Sequence, residues 1–133
     1  MSNRLLIEAR IPLRWRDLDA FNHVNNATFL TYLEEARLQW FSSIRGQWFD
    51  EHHAPVVAAN HLNYRMQLTW PGEIVVALHC EKLGNSSLTI AHRVADAAQA
   101  EKVYCDGTIV LVWIHPASGK PVSLPAAVRT ACQ

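Results

Sequence analysis

Apolar and polar residues change their spacing twice along this chain. From Leu5 to Trp15 they alternate, with Leu5, Ile7, Ala9, Ile11, Leu13 and Trp15 on one face and Glu8, Arg10, Pro12 and Arg14 on the other. A period of two predicts a half-buried strand. Pro12 has no N–H to give to a ladder, so the strand should be an edge there or carry a bulge. Over residues 27–44 the spacing becomes helical. Phe29, Leu30, Leu33, Ala36, Trp40, Phe41 and Ile44 fall in one stripe about 140° wide at ~100° per residue. That width suits a helix lying on a sheet better than a coiled-coil seam, and Gly46 is a stop signal. Residues 46–55 read as a loop.

After Pro55 the period returns to two. It predicts strands over about 56–68, 73–83, 86–96 and 102–115, separated by the turn-forming runs WPGE, LGNS and DAAQAE. The last strand is apolar on both faces from Ile109 to Ile114, which predicts a covered, central position. Residues 115–121 form a turn, and Pro125 to Cys132 a short terminal helix. One strand, one long helix and four strands make an α+β layer, a five-stranded mostly antiparallel sheet with one long helix on it. The pattern shows no repeat, so residues 1–133 are taken as one domain. One helix cannot cover five strands, so a sheet face or edge should be buried by self-association.

Composition narrows the function. Half of the residues are hydrophobic, enough for a substantial core. Twelve basic and twelve acidic residues balance without a basic block, which argues against nucleic acid as a partner. Cys80, Cys105 and Cys132 are odd in number and widely spaced, the pattern of reduced thiols rather than zinc or redox ligands. MSNRLLIEARIPLR has no continuous apolar run of the signal-peptide kind, and no segment nears the roughly 20 apolar residues of a membrane span. These features predict a cytoplasmic protein with no membrane association. The histidines at 52, 53, 61, 79, 92 and 115 have no ligand spacing, so they read as structural and no metal is expected.

The unusual chemistry sits at the mouth of the helix. Residues 17–26, DLDAFNHVNN, hold two acids, one histidine and three asparagines. A helix start collects free N–H groups and the positive end of the helix dipole. An acid beside it could attack a polarised carbonyl or take a proton from water. The plainer account is also complete: Asp19 in an Asx-turn, Asn25 or Asn26 as N-cap, and Asp17 paired with Arg14 or Arg16. On the helix, Glu34 and Arg37 are spaced to form an ion pair.

The run DLDAFNHVNNATFLTYLEEAR resembles the Asp-x-Asp … His-Val-Asn-Asn-Ala … Glu-Glu-Ala-Arg block of the 4-hydroxybenzoyl-CoA-like acyl-CoA thioesterases. NYRMQLTWPGEIVV, EKLGNSSLTI and GKPVSLPAAVR are similar to later landmarks of that family, so the resemblance runs over about residues 5–130. It implies a hotdog fold, with the sheet wrapped around the long helix, and active sites between two subunits of a homodimer or homotetramer. It implies hydrolysis of acyl-CoA, with acyl carrier protein as an alternative carrier and no cofactor. By position it makes Asp19 the nucleophile or general base. The N–H of Asn26, where some relatives carry histidine, becomes the donor to the thioester oxygen. It offers His23 as a further catalytic candidate beside Asp19. It also suggests Asn25 and Asn63 near the substrate, and Lys82, Ser86 and Ser87 at the CoA nucleotide and phosphates. A hotdog dehydratase or hydratase and a non-catalytic acyl-thioester binding module are the alternatives.

Overall fold

The structure, a computed structural model, describes residues 3–133. The chain forms β1 (Leu5–Pro12), α1 (Asn26–Ser43), β2 (Ala54–Tyr64), β3 (Glu73–Leu83), β4 (Ser87–Asp96), β5 (Val103–Ile114) and α2 (Ala126–Cys132). The five strands make one sheet in the order β1-β3-β4-β5-β2, and every neighbouring pair is antiparallel. With α1 packed on one face, this is the expected α+β hotdog arrangement.

Alternation decides which face is covered. Ile74, Val76, Leu78 and Cys80 of β3, Leu88, Ile90 and Val94 of β4, and Ile109, Leu111 and Trp113 of β5 are buried on the helix side. Against them α1 places Phe29, Tyr32, Leu33, Ala36, Trp40 and Phe41. Tyr32 is in the buried stripe, while Leu30 is 41% exposed at its edge. At the far end Phe41 stacks on Trp48 at 4.4 Å, and the Trp113 indole donates to the Trp48 carbonyl at 2.8 Å. The helix lies closest to β1 and β3, leaving more room over β5 and β2.

Three boundaries differ from the periodic pattern, each for a local reason. β1 stops at Pro12 rather than Trp15. Residues 15–17 turn as a short 3-10 helix because the Asp17 carboxylate accepts the Arg14 N–H at 3.0 Å, and Trp15 is left 71% exposed. β2 spans Ala54–Tyr64 rather than 56–68. Beyond Tyr64 the N–H groups of Arg65 and Met66 both converge on the Tyr104 carbonyl, at 2.8 and 3.3 Å, which ends the ladder. Helix α1 ends at Ser43 with Ile44 as C-cap, two residues before Gly46 at φ +118°.

Of the two sheet edges, one is as its residues predict. β1, with Pro12, is one edge, and its register shifts between Leu5 and Ile7. β2 is the other, and its residues 56–61 are exposed, Val56 and Val57 among them. β5 lies between β4 and β2 as an inner strand, but only one of its two apolar faces is covered: Ile109, Leu111 and Trp113 are buried, whereas Val110, Val112 and Ile114 on the face away from α1 are half-buried. Helix α2 buries Val128 and Cys132 and ties down the β3–β4 turn through Arg129, which donates to the Gly84 carbonyl at 2.8 Å. The three thiols are buried and form no disulfide.

Candidate active site

The polar crowd before α1 folds into a small, closed loop. Leu18 and Val24 pair as an antiparallel bridge, the Asp19 N–H donates to the His23 carbonyl at 2.9 Å, and the Asn22 N–H donates to the Asp19 carbonyl at 3.0 Å. Asn22 takes the left-handed conformation at φ +62°, which asparagine tolerates better than most residues. Two further bonds anchor the loop, from the Asn25 N–H to the Asp17 carbonyl (3.1 Å) and from the Val24 N–H to the Leu68 carbonyl (2.7 Å).

Asp17 is the buried foundation of this loop. Its carboxylate accepts the Tyr32 hydroxyl at 2.7 Å, the Arg14 N–H at 3.0 Å and the Arg14 guanidinium at 3.2 Å. Burial works to raise its pKa, but these donors together hold it below the usual carboxylate range. The Tyr32 phenol is pushed up by burial and by Asp17. The expected pairing of Asp17 with an arginine is therefore present, with Tyr32 as a partner that sequence spacing did not reveal.

Asp19 stands on the other side of the loop. One carboxylate oxygen accepts the Phe21 N–H at 2.9 Å, the Asx-turn geometry, and the group is half-buried at the wall of a cleft. The cleft has a volume of ≈ 410 Å³ and also takes in His23, Asn26, Phe29, Tyr64 and Met66.

The helix start completes the geometry. Asn25 is the N-cap: its side-chain oxygen accepts the Ala27 N–H at 2.8 Å, and its carbonyl accepts the Thr28 N–H at 2.9 Å. Asn26 is the first helical residue, so its own N–H has no intrahelical acceptor. The Tyr64 hydroxyl, which no sequence motif marks, donates to the Asn26 carbonyl at 3.1 Å, and its ring meets Phe29 edge-on. Asp19 and Asn26 thus line one cleft, at a helix start whose first N–H groups have no intrahelical acceptor.

The other sequence candidates lie elsewhere in the chain. Asn63 donates to Asp106 at 3.2 Å rather than facing the cleft, beside the Arg65–Asp106 ion pair at 3.1 Å. The Arg65 hydrogen bonds, against some burial, hold Asp106 low. Lys82 is next to last in β3, Ser86 lies in the turn and Ser87 opens β4, so all three sit at one hairpin. β3 begins beside Leu13, whose N–H donates to Gly72, and its length of ~30 Å puts that hairpin at the opposite end of the sheet from the loop. Glu34 is exposed and Arg37 half-buried. Burial lowers Arg37 while the field of Glu34 raises it, so the two interact through charge. Cys105 is no rival nucleophile: burial first, then Asp106, pushes its thiol up to about 11. Among the described residues no group of three or more His, Cys, Asp or Glu is placed to hold a metal ion.

Comparison with known proteins decides what this architecture belongs to. Residues 13–132 match the profile of the thioesterase-like superfamily. The chain belongs to that superfamily. It is 42% identical to a protein of Xanthomonas campestris provisionally assigned as an acyl-CoA thioesterase, over 90% of this chain and 99% of that one, with a TM-score of 0.82. A thioesterase from Thermus thermophilus solved with coenzyme A and Zn is 36% identical over 96% of this chain and 92% of its own, at a TM-score of 0.80. The long-chain acyl-CoA thioesterase FadM of Escherichia coli is 29% identical over 125 residues, 92% of this chain and 94% of FadM. The superfamily member described here is accordingly an enzyme of the thioester-hydrolase kind. No helix of the described residues is long and apolar enough to cross a membrane.

Proposed function

We propose that this enzyme hydrolyses acyl-CoA: acyl-S-CoA and water give a carboxylic acid and free CoA. The observation that carries this reading is the cleft that Asp19 and Asn26 line together at the start of α1. A thioester carbonyl seated there would present its oxygen to Asn26 and its carbon to Asp19. As the carbon becomes tetrahedral, negative charge grows on the oxygen, and the N–H with the helix dipole behind it stabilises that charge. Asp19 acts as the nucleophile or as the base that deprotonates water. Both routes need the same oxygen donor, and the thiolate leaves as the carbonyl re-forms.

Asn25 supports the helix start as its cap, and His23 holds the loop through its carbonyl while its ring lines the cleft. The exposed β2 edge supports pairing with a second copy into a homodimer, and dimers into a tetramer is the larger alternative. Lys82, Ser86 and Ser87 would then meet the CoA phosphates at a cleft of the partner subunit, since their own cleft is at the far end of the sheet. Asn63 has its amide committed to Asp106, so it would contribute through that pair.

The test is free-thiol release from a panel of acyl-CoAs and one acyl carrier protein thioester, wild type beside Asp19→Asn. Turnover lost in a folded, assembled mutant supports the reading. Turnover unchanged in the mutant removes Asp19 from the chemistry, and no release from any CoA ester sinks the acyl-CoA assignment. A single turnover in ¹⁸O-water tests the nucleophilic route, because label in the Asp19 carboxylate requires an Asp19–acyl anhydride that water opens at the Asp19 carbonyl.

A further inference from the structure

One hydroxyl on the cleft wall has more hydrogen-bonding capacity than the fold uses. Tyr64, the last residue of β2, is 45% exposed and lines the same cleft as Asp19 and Asn26. Its ring stands edge-on to Phe29, at 5.6 Å between centroids and 72° between planes. Its hydroxyl lies 3.1 Å from the Asn26 carbonyl oxygen. A phenol has one proton to donate and lone pairs with which to accept, whereas a carbonyl only accepts. The Tyr64 proton is therefore committed to Asn26. Burial first, then Cys105, raises the pKa of the phenol, so the hydroxyl keeps that proton at neutral pH.

What Tyr64 offers the cleft is thus an acceptor without a donor. Among the described residues no group donates to its oxygen. The Phe29 contact and the Asn26 bond hold that oxygen in place. It is also close to the proposed chemistry. The carbonyl it binds and the N–H assigned to the thioester oxygen belong to the same residue, so bond lengths put the Tyr64 oxygen no more than about 7 Å from the Asn26 nitrogen. A thioester whose oxygen faces that N–H brings its sulfur, and the first atoms on either side, into this range.

The chemistry of the substrate supplies the match. A fixed acceptor calls for an N–H or O–H on the ligand. A plain acyl chain has neither, and the thioester group has neither. On the other side of the sulfur, CoA carries two methylenes and then the N–H of the cysteamine amide. That N–H is the first donor met on leaving the thioester in either direction.

The geometry points to Tyr64 as a specificity-determining residue whose hydroxyl oxygen accepts the cysteamine N–H of the substrate. This rests on the acyl-CoA reading of the cleft and deepens it on the thiol side of the bond. The preferred substrate is a thioester of a cysteamine amide, not of a simple alkyl thiol. With the amide at Tyr64 and the carbonyl oxygen at Asn26, the thioester is gripped on both sides of its sulfur, which limits its rotation before Asp19 acts.

The test uses the intact protein and two thioesters of one acyl group. The first is the thioester of N-acetylcysteamine. The second is its isostere with an ester oxygen in place of the amide N–H. Wild type should prefer the first by about tenfold in kcat/KM. Tyr64→Phe keeps the ring and loses only the oxygen, and it should bring that ratio toward one. A hydroxyl that merely tethers Asn26, or holds the attacking water, would on removal slow both esters alike and leave the ratio where it was. A crystal structure with a 2-oxoalkyl-CoA thioether, whose ketone stands in for the thioester carbonyl, should place the cysteamine nitrogen about 2.7–3.2 Å from the Tyr64 oxygen. That complex decides alone should both short thioesters turn over too slowly to compare. A wild-type ratio near one, a ratio unchanged in folded Tyr64→Phe, or a cysteamine nitrogen out of reach of Tyr64 would overturn the inference, while turnover of acyl-CoA itself leaves the acyl-CoA reading standing. Failure of every acyl-CoA would overturn both.

Discussion

The Tyr32 hydroxyl meets the Asp17 carboxylate at 2.7 Å beneath the loop that carries Asp19. This bond ties the first turns of α1 to the segment that presents the proposed reacting acid. Tyr32→Phe leaves a buried carboxylate with Arg14 alone, at a cost of about 1–3 kcal/mol in stability. Asp17 has a lowered folded pKa, so its stabilisation is present above the unfolded value of 3.8 and is lost as pH falls through the folded one. Weaker donation raises the folded pKa, and the acid-unfolding midpoint of Tyr32→Phe should move to higher pH. Denaturant melts at pH 7 and an acid titration by circular dichroism measure both effects.

The proposed oxygen donor belongs to the backbone, so side-chain replacement and amide removal should separate cleanly. Asn26→Ala retains the N–H and should keep kcat within a few-fold. Asn26→Pro removes it at the first helical position, where proline is well accepted. Asn25 before it already has an extended conformation, φ −61° and ψ 138°, that suits a residue preceding proline. Thiol release by Asn26→Pro should fall by about 10²–10³ in kcat with little change in melting temperature. A fully active Asn26→Pro enzyme would remove this N–H from the mechanism.

Asn25→Ala has the opposite profile. It deletes the acceptor for the Ala27 N–H and should cost about 1 kcal/mol in stability. The Asn26 amide remains, so the loss shows first in thermal melts and only secondarily in turnover.

His92 should make stability depend on pH over a defined window. The unfolded ring takes its proton near 6.5 and the folded ring near 4, so between them the unfolded state binds more protons. Stability should therefore decline as pH falls from 6.5 toward 4, by about 3 kcal/mol at most, and this component should level off below. In His92→Leu that component of the slope disappears. Urea melts at half-unit pH intervals would measure it, and an unchanged slope would contradict the burial of a neutral ring.

Gly107 should be intolerant of any side chain. An added Cβ would lie 1.9 Å from the His61 carbonyl oxygen, a backbone atom of the neighbouring strand that cannot step aside alone. Gly107→Ala should lose about 4 kcal/mol or more, or fail to fold, as judged by solubility and melting temperature.

The elements were legible in the sequence because their periods are strong and their separators are turn-forming residues. The alternation of Ile74, Val76, Leu78 and Cys80 reads directly as a buried strand face. The ends were less legible because single hydrogen bonds outside the pattern set them: Asp17 to the Arg14 N–H stops β1, and the Tyr104 carbonyl stops β2. At the site, Asp19 and Asn26 are seven positions apart within one polar run, so their proximity could be anticipated. Tyr64 could not, since its bond to Asn26 joins two segments through a fold that spacing alone does not describe. In the sequence His92 is one more strand histidine. Its difference is that both nitrogens are unmet, which is a property of its surroundings, Gly107 above all.

The loop bonds within residues 17–28 are short-range, and they fix both the carboxylate and the helix N–H. The residues around the apolar groove between α1 and β2 come instead from the middle of α1, from Trp48 and Phe49, and from β2 and β5. On the proposed reading the cleaving groups thus lie in one short stretch of chain, apart from the segments that line the groove. Exchanges around the groove would then leave that stretch and its bonds intact, so a lineage built on this plan can reshape one surface without touching the groups that cleave.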